Sequence, residues 1–278
     1  MKAKKVLVAL VLLPAFVWLI GWAPWWALMA VLLALGAGVG GWESARLAFG
    51  EQDLTFRVLA TGLSVGCAYA AATGSDEMVG MAVVLTTLIA LGVAGLASTK
   101  QENAVSRAAK LVFVAIYPGL LVGYIAALRV YQDIFYGEKL VIILFLIPWI
   151  NDAGAFFVGS ALGKRKMAPR ISPNKTWEGA MGGFAASLLA GLGVGIWSSH
   201  LSVGAGLLIG GVLGVVGPLG DLVESAIKRG AEVKDSGQFL PGHGGVLDRI
   251  DSVIVCAPVL YYFIVEWHFF ELMKTIGP

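Results

Sequence analysis

A polar stretch from Ser225 to Asp251 carries residue types that could do chemistry, although it lies between two long apolar runs. It combines cations and carboxylates with a Pro-Gly-His-Gly-Gly turn. The cations are Lys228, Arg229, Lys234 and Arg249, and the acidic residues are Glu232, Asp235, Asp248 and Asp251. Because ionisable groups are costly to keep near lipid, such a segment in a membrane protein indicates a functional site.

Carboxylates recur at helical spacing at both ends of this stretch. Upstream, the spacing i, i+3, i+4, i+7 places four polar residues on one helix face: Asp221, Glu224, Ser225 and Lys228. Downstream, Asp248, Asp251 and Ser252 share a face at i, i+3, i+4. Carboxylates at the ends of facing helices suit a hard divalent cation such as Mg²⁺, which takes oxygen ligands and keeps substrate phosphates in its shell.

The cations and glycines of the same stretch suit phosphate groups. Basic side chains would neutralise non-bridging phosphate oxygens, and we assign this role to Lys228, Arg229, Lys234 and Arg249. Gly244 and Gly245 beside His243 would let backbone N–H groups approach an anion closely. The alternative for the whole group is a structural ion-pair cluster, and for His243 alone a structural hydrogen bond.

A second candidate is the pair Asn151-Asp152, which follows Pro148 in an otherwise apolar segment. A carboxylate there must be neutralised, paired or bound to a cation, since leaving it bare costs several kcal/mol or more. Two interpretations stay open at this point. The pair belongs to a polar cavity, or it makes a hydrogen bond between helices.

The third candidate is the loop from Gly163 to Glu178, which carries five cations. Ser172 followed by Pro173 predicts the start of a helix. A helix N-terminus near Lys175, Arg170 and Thr176 would suit a phosphate. Charges that only fix the membrane topology are the alternative, mainly for Lys164 to Lys166.

The elements that position these residues must be membrane helices. The chain has 278 residues, of which 58% are hydrophobic and only 14% charged, whereas soluble domains carry about 25% charged residues. The apolar runs are continuous and do not alternate, which disfavours a β-barrel. We therefore predict an all-α polytopic membrane protein with about nine spans, near residues 6–21, 24–41, 57–73, 78–98, 109–128, 139–162, 179–197, 203–227 and 250–270.

Charge asymmetry then orients the predicted spans. The first span follows a lysine-rich start, and we interpret it as an uncleaved helix, with a cleaved signal peptide as the alternative. With an inside start, the inner segments 1–5, 42–57, 99–110, 163–178 and 228–249 hold 17 of the 20 Lys and Arg residues. Basic residues near helix ends stay on the cytoplasmic side, so we expect the N-terminus inside and the C-terminus outside.

The two halves of the chain differ in character. Residues 1–130 are predicted to be a scaffold and dimer region, and residues 131–278 a catalytic transmembrane domain. Between the second and third spans, Glu43, Arg46, Glu51 and Asp53 are interpreted as a solvated face at the membrane interface.

A glycine stripe marks the eighth predicted span. Gly206, Gly210 and Gly214 recur at i, i+4, i+8, which permits close helix approach or, alternatively, leaves room for a lipid chain. The run Gly217-Pro218-Leu219-Gly220 is predicted to break or kink the same helix.

The 27-residue run from Ser225 to Asp251 also resembles the signature of the phosphatidate cytidylyltransferase family. The matching elements are Lys228-Arg229, Lys234-Asp235, Leu240-Pro241, His243-Gly244-Gly245 and Asp248-Arg249-Ile250-Asp251, and no position departs from the pattern. Asn151-Asp152 and the run I-S-P-N-K-T-W-E-G resemble further segments of that family. The resemblance covers roughly residues 145 to 255.

The resemblance implies transfer of CMP from CTP to phosphatidic acid, which gives CDP-diacylglycerol and pyrophosphate in phospholipid biosynthesis. It implies Mg²⁺, a second cation for which K⁺ is the candidate, a homodimer, and a multi-pass protein of the inner (plasma) membrane with a cytoplasmic active site. Nucleic acid is not an expected partner. The expected metal ligands are Asp221 and Asp248, with Asp152, Glu224 and Asp251 as further candidates. The expected catalytic residues are Lys175, Lys228, Arg229, Lys234, His243 and Arg249, and the expected substrate-binding residues are Asn151, Ser172, Thr176, Ser225, Gly244 and Gly245.

Two other functions compete with this interpretation. A CTP-dependent polyprenol or phytol kinase would transfer the γ-phosphate and release CDP. An ion-coupled transporter would spread its carboxylates through the bilayer and show inverted repeats, whereas here they cluster toward the inner face. A CDP-alcohol phosphotransferase is disfavoured because no Asp-Gly-x-x-Ala-Arg run is present.

Overall fold

A computed structural model describes residues 14–15, 18–21, 23–97, 101–131, 134–198, 201–240 and 244–276. These residues form eight long helices and one short β-hairpin. The helices are α1 (Trp25–Val31, continued by the π-helical Leu32–Val39 and by Gly40–Phe49), α2 (Leu54–Ala72), α3 (Asp76–Ala97), α4 (Gln101–Val114, the π-helical Ala115–Leu120 and Leu121–Val130), α5 (Ile134–Leu162), α6 (Trp177–Trp197), α7 (Val203–Gly230) and α8 (Leu247–Ile276). Strands β1 (Lys166–Ala168) and β2 (Ser172–Thr176) pair antiparallel, with Lys166 opposite Thr176 and Ala168 opposite Ser172.

Seven of the described helices are long and apolar enough to cross a membrane: Trp25–Phe49, Leu54–Ala72, Asp76–Ala97, Ala104–Val130, Tyr136–Leu162, Trp177–Trp197 and Val203–Gly230. The last predicted span, 250–270, falls inside α8. The first predicted span, 6–21, lies mostly outside the described residues. The all-α, multi-pass membrane fold is therefore confirmed, whereas the number nine and the orientation of the termini stay predictions.

The chain forms two compact units. The first contains Met1–Glu138 and Ile227–Ile250, and the second contains Lys139–Ala226 and Asp251–Pro278. The segment Ile227–Ile250 thus belongs with the N-terminal helices. The predicted division of function, a scaffold in 1–130 and catalysis in 131–278, stays a prediction.

Small and aromatic side chains pack the first unit around α2. Ala45 of α1, Ala60 and Phe56 of α2, Ala90 of α3 and Leu111 of α4 share one buried cluster. Small residues let membrane helices approach closely, where van der Waals contact replaces a hydrophobic driving force. Outside that cluster, Gly119 and Gly123 of α4 pack against the α2 backbone: an added Cβ on either would overlap the carbonyl oxygen of Ser64 or Ala68.

The glycine stripe of α7 packs the second unit. A Cβ on Gly206 or Gly210 would overlap the carbonyl oxygen of Gly191 or Ser187 in α6, and one on Gly214 would meet the Ser187 side chain. The stripe is therefore filled by the neighbouring helix. The alternative interpretation, room for a lipid chain, is wrong for this face.

Helices extend further than the hydropathy pattern predicts. The predicted inner loop 42–57 shrinks to residues 50–53, because α1 continues to Phe49 and α2 begins at Leu54. The predicted loop 99–110 is helical from Gln101. Charged residues at the ends of membrane helices depress the local hydropathy without ending the helix, so hydropathy alone places these boundaries too early or too late.

Two local predictions about helix boundaries also differ from the structure. Ser172 and Pro173 do not start a helix, because hairpin pairing holds Ser172–Thr176 in a strand. The cap is Thr176, whose side chain accepts a hydrogen bond from the Gly179 N–H at 3.1 Å, and α6 begins at Trp177. Pro218 does not break α7, which runs without interruption from Val203 to Gly230, and the alternative of a kink stays a prediction.

Candidate active site

In the second unit, Lys175 and Asp221 form the centre of a polar group. The Lys175 Nζ lies 2.7 Å from Asp221 Oδ2, and both side chains are partly exposed, by 25% and 32%. The same ammonium donates to the Pro218 carbonyl oxygen at 3.3 Å. Ser225, one turn along α7, donates to Asp221 Oδ1 at 3.3 Å, which confirms that these two residues share a helix face.

Two further carboxylates belong to this group. Asp152, from the middle of α5, is exposed. It lies within electrostatic range of Asp221, Asp251 and Lys175. Three carboxylates with one ammonium leave a local excess of negative charge. Like charges this close are unfavourable in a partly dry environment, so the arrangement favours a bound cation.

A cavity of about 450 Å³ opens beside these residues. Its wall includes Asp152 and Lys175 together with apolar side chains. The remaining lining residues are Asn151, Ala155, Phe156, Gly159, Ser160, Met167, Asn174, Thr176, Gly179, Ala180 and Pro218. A concave, mostly apolar wall with a few convergent polar groups is the usual form of a small-molecule site.

Asn151 and Asp152 are neighbours in sequence but play different parts. Asn151 is 2% exposed, and its side-chain amide donates to Ser187 Oγ at 2.8 Å and to the Gly214 carbonyl at 3.0 Å. These bonds join α5 to α6 and α7. The hydrogen-bond interpretation therefore holds for Asn151, whereas Asp152 faces the cavity. Binding of substrate by Asn151 stays a prediction.

The donor set of the second unit fits a divalent metal of the magnesium type. Among the described residues, no cluster of three or more His, Cys, Asp or Glu side chains has the arrangement of a preformed metal centre. Mg²⁺ does not need one, because it usually binds one or two carboxylates and keeps waters and substrate phosphates as its other ligands. The oxygen-only chemistry and excess negative charge around Asp221 meet that requirement.

In the first unit, Asp248 forms the centre of a second and more enclosed polar group. Its Oδ1 accepts from Lys228 Nζ at 2.6 Å, and the two side chains are 5% and 11% exposed, respectively. Its Oδ2 accepts from the backbone N–H groups of Ser236 at 2.9 Å and Gly245 at 2.8 Å. Gly244 has φ +85°, where a side chain would be strained and would also meet Asp248. The Gly245 amide thus approaches an anion as predicted, but that anion is a side chain of the protein.

The same contacts set the protonation of Asp248. Burial by itself would raise the pKa of this carboxyl, but the hydrogen bond from Lys228 and those from the Gly245 and Ser236 amides outweigh it and hold the pKa below its ordinary value. Asp248 is therefore ionised at neutral pH and balanced by Lys228. Its Oδ1 accepts a hydrogen bond from Lys228 and has a second lone pair, and the predicted role of Asp248 as a metal ligand stays a prediction.

The other predicted residues lie in varied surroundings. Arg229, Lys234 and Arg249 are exposed in the first unit, and Arg229 donates to the Val233 carbonyl at 3.0 Å. Glu224 is fully buried in the second unit. Asp251 accepts from the Ser252 hydroxyl and amide, and Ser172 lies on β2. His243 lies outside the described residues.

Glu43 is a residue that the sequence interpretation placed wrongly. It does not face water: it is 4% exposed, in the last turns of α1. Its carboxylate accepts hydrogen bonds from Ser236, Val246 and Leu247 at 3.0 to 3.1 Å. The available signal was the apolar Leu47-Ala48-Phe49 that follows Arg46, which indicates that the helix continues past the charged pair.

These features define a multi-pass α-helical membrane protein with grouped carboxylates and cations. The sequence profile of the cytidylyltransferase family matches residues 3–267, so the chain belongs to that family. It is 44% identical over 155 residues to a phosphatidate cytidylyltransferase of Bacillus subtilis, covering 55% of this chain and 57% of the relative. It is 46% identical over 131 residues to a phosphatidate cytidylyltransferase of Brucella suis, covering 46% and 47%.

A further relative bears no functional name. It is the uncharacterized protein YnbB of Escherichia coli, 48% identical over 128 residues, which cover 46% of this chain and 43% of that one. In all three comparisons the chain spans about half the length of the relative it matches.

Proposed function

We propose that the protein is a phosphatidate cytidylyltransferase, which transfers CMP from CTP to phosphatidic acid and gives CDP-diacylglycerol and pyrophosphate. Membership of the cytidylyltransferase family supports this reaction class, and two of the relatives carry that name. The observation that carries the proposal is that Asp152, beside an open cavity, lies within electrostatic range of Asp221, Asp251 and Lys175. A lipid-kinase reaction is not favoured by the comparisons.

In the proposed reaction, an oxygen of the phosphatidic acid phosphate attacks the α-phosphorus of CTP. The new P–O bond forms as the bond from the α-phosphorus to the β-phosphate oxygen breaks, and pyrophosphate leaves with that electron pair. The attacking phosphate is already ionised at neutral pH, so no strong general base is needed. The protein must bring two polyanions together and stabilise the charge that develops on them.

A divalent cation fits this requirement, and Mg²⁺ is the proposed ion, with K⁺ as the candidate for a second one. Asp221, Asp152 and Asp251 would hold it, and Asp248 and Glu224 keep the ligand roles proposed from the family signature. When bound, it supplies positive charge to the polyphosphate and lowers the cost of charge at the leaving oxygen.

The chain's own cations have a separate role. Lys175 contacts Asp221 in the present arrangement, so a phosphate in the cavity would share this ammonium with the carboxylate. Lys228, Arg229, Lys234, His243 and Arg249 keep their proposed catalytic roles, and Ser172, Thr176, Ser225, Gly244 and Gly245 their proposed substrate contacts. Lys228 donates to Asp248, so a phosphate would share its ammonium, which has three N–H donors, with that carboxylate.

The proposal includes location and assembly. It places the protein in the inner membrane as a homodimer, with the active site on the cytoplasmic face. The distribution of 17 of the 20 Lys and Arg residues in the predicted inner segments supports this orientation.

The test is incubation of the purified full chain with CTP, Mg²⁺ and phosphatidic acid in mixed micelles. We expect equimolar CDP-diacylglycerol and pyrophosphate. Release of CDP with a newly phosphorylated lipid would instead establish a kinase. No lipid-dependent consumption of CTP, with a Bacillus subtilis relative active in the same assay, would overturn the proposal.

A further inference from the structure

The N-terminal helix α1 reaches the signature segment through one buried carboxylate. Glu43 is 4% exposed and accepts three hydrogen bonds from residues about 200 positions later in the chain. The Ser236 hydroxyl and the Leu247 N–H donate to Oε2 at 3.0 Å, and the Val246 N–H donates to Oε1 at 3.1 Å. A buried carboxylate with several such donors is held firmly, since hydrogen bonds to a charged group are stronger than those between neutral groups.

Two of those donors are backbone groups at the start of α8. Helix α8 begins at Leu247, so the N–H groups of Val246 and Leu247 are among those that have no partner within the helix. A negative charge at a helix N-terminus is also favourable. Glu43 therefore caps the helix that carries Asp248 in its first turn.

Ser236 links Glu43 to Asp248 directly. This residue is fully buried; its hydroxyl donates to Glu43, and its backbone N–H donates to Asp248 Oδ2 at 2.9 Å. Its carbonyl oxygen accepts from the Arg46 guanidinium at 2.8 Å. All three polar groups of one residue are thus used to connect α1 with Asp248.

Glycines of the signature leave space for this carboxylate. A Cβ on Gly237 would overlap Glu43, and one on Gly245 would overlap both Glu43 and the Ser236 hydroxyl. The segment around Ser236 and Gly245 is therefore shaped to a side chain that comes from α1.

We infer that Glu43 and Arg46 are positioning residues, which set the place of Asp248 in the proposed transfer reaction by holding Ser236 and the start of α8. Neither residue needs to touch substrate. The inference rests on the proposed function for its activity measurement, but the hydrogen-bonded connection itself can be measured without turnover.

The first measurement is amide hydrogen exchange of the full chain in detergent. In Glu43→Gln the added NH₂ group faces backbone donors, so we expect exchange across residues 236–250 to speed up on the order of tenfold or more, as for loss of a buried hydrogen bond. The exposed Glu51→Gln is the matched control and leaves this segment unchanged. Equal exchange in Glu43→Gln and wild type would overturn the inference, whether or not the wild-type enzyme transfers CMP.

The second measurement is a double-mutant cycle on turnover. Glu43→Gln is expected to lower kcat on the order of tenfold to a hundredfold, the effect of a displacement near 1 Å, with the KM for CTP changed less than about threefold. Ser236→Ala removes only the linking hydroxyl and should lower kcat less. If Glu43 acts through Ser236, the double variant loses no more than Glu43→Gln alone.

The outcomes separate the two proposals. Multiplicative losses in the double variant, or a wild-type kcat in Glu43→Gln, would overturn the positioning role while leaving the reaction intact. An inactive wild-type chain would contradict the proposed function, and the exchange measurement would then decide the inference by itself. Should Glu43→Gln fail to fold, amide exchange of residues 236–250 is measured in Ser236→Ala instead. Faster exchange than in wild type supports the inference, and equal exchange overturns it.

Discussion

The two carboxylate groups of this protein differ in how completely they are paired. In the first unit, Asp248 and Glu43 are buried, and each carboxylate accepts three hydrogen bonds from the chain. In the second unit, Asp221 is about a third exposed, Asp152 is exposed beside a cavity, and one lysine accompanies three carboxylates. Paired acids hold the backbone in place, whereas acids with spare lone pairs and excess charge can bind ligands. Both groups follow from similar residue types, so pairing is what distinguishes them.

The largest expected effect concerns the partly exposed carboxylates around Lys175 in the second unit, here called the open group. Asp221→Asn keeps the shape of the side chain but removes its charge, and we expect turnover to fall on the order of 10²–10³-fold, the scale of losing a group that stabilises transition-state charge. The unfolding free energy should change by less than about 1 kcal/mol, because exposed ion pairs contribute little. Pyrophosphate release and thermal unfolding in detergent measure the two effects, with the exposed Glu77→Gln as control. A stability loss that matched the activity loss would contradict the comparison.

For the enclosed group, Asp248 with Lys228, the main expected effect of a substitution is a loss of stability. In Asp248→Asn an amide NH₂ faces Lys228, which is left buried with an uncompensated charge, and breaking such a pair costs about 3–5 kcal/mol. Denaturant unfolding of the purified protein measures this loss. Asp235→Asn, an exposed acid of the same segment, is the control and should stay within about 0.5 kcal/mol of wild type. Wild-type turnover and Mg²⁺ dependence in Asp248→Asn would refute its proposed ligand role.

Packing between α6 and α7 of the second unit is the next test. Gly210→Ala places a methyl group against the Ser187 carbonyl of α6, and overpacking of this kind costs about 1–3 kcal/mol. Gly211→Ala is the matched control on the same helix: its Cβ would meet only the Leu188 side chain at 3.5 Å, an ordinary contact. We expect a lower unfolding temperature for Gly210→Ala alone. Equal unfolding temperatures would show that α6 and α7 are not closely packed.

The smallest expected effect is a pH dependence of the enclosed group. The pKa of Asp248 in the folded protein lies below its ordinary value of about 3.8, so its stabilisation is present above that value and is lost as the pH falls through the folded pKa. The difference in unfolding midpoint between wild type and Asp248→Asn should therefore be constant near neutral pH and narrow below about pH 4. A difference that stayed constant down to pH 3 would contradict the ionised pair.

Much of the fold was predictable because the bilayer imposes it. A run of about 20 apolar residues has to be helical in lipid, where every backbone polar group needs an internal partner. Helix ends were less predictable, as the segments around Glu43 and Gln101 show, since a charged residue can end a helix or continue it. Ser172-Pro173 and Thr176 both have the chemistry of a helix start, and only the pairing of β1 with β2 decides between them.

The amino-acid sequence by itself determined the membrane class, the approximate spans and which acidic and basic residues are proposed to take part in cytidylyl transfer. Those properties depend on local hydropathy and on the order of residues along the chain. Only the tertiary structure decided which carboxylates are paired: Asp248 with Lys228, Asp221 with Lys175, and Glu43 with the start of α8. Pairing is a contact between segments 20 to 200 residues apart, so it depends on how helices pack and has no signal in local sequence.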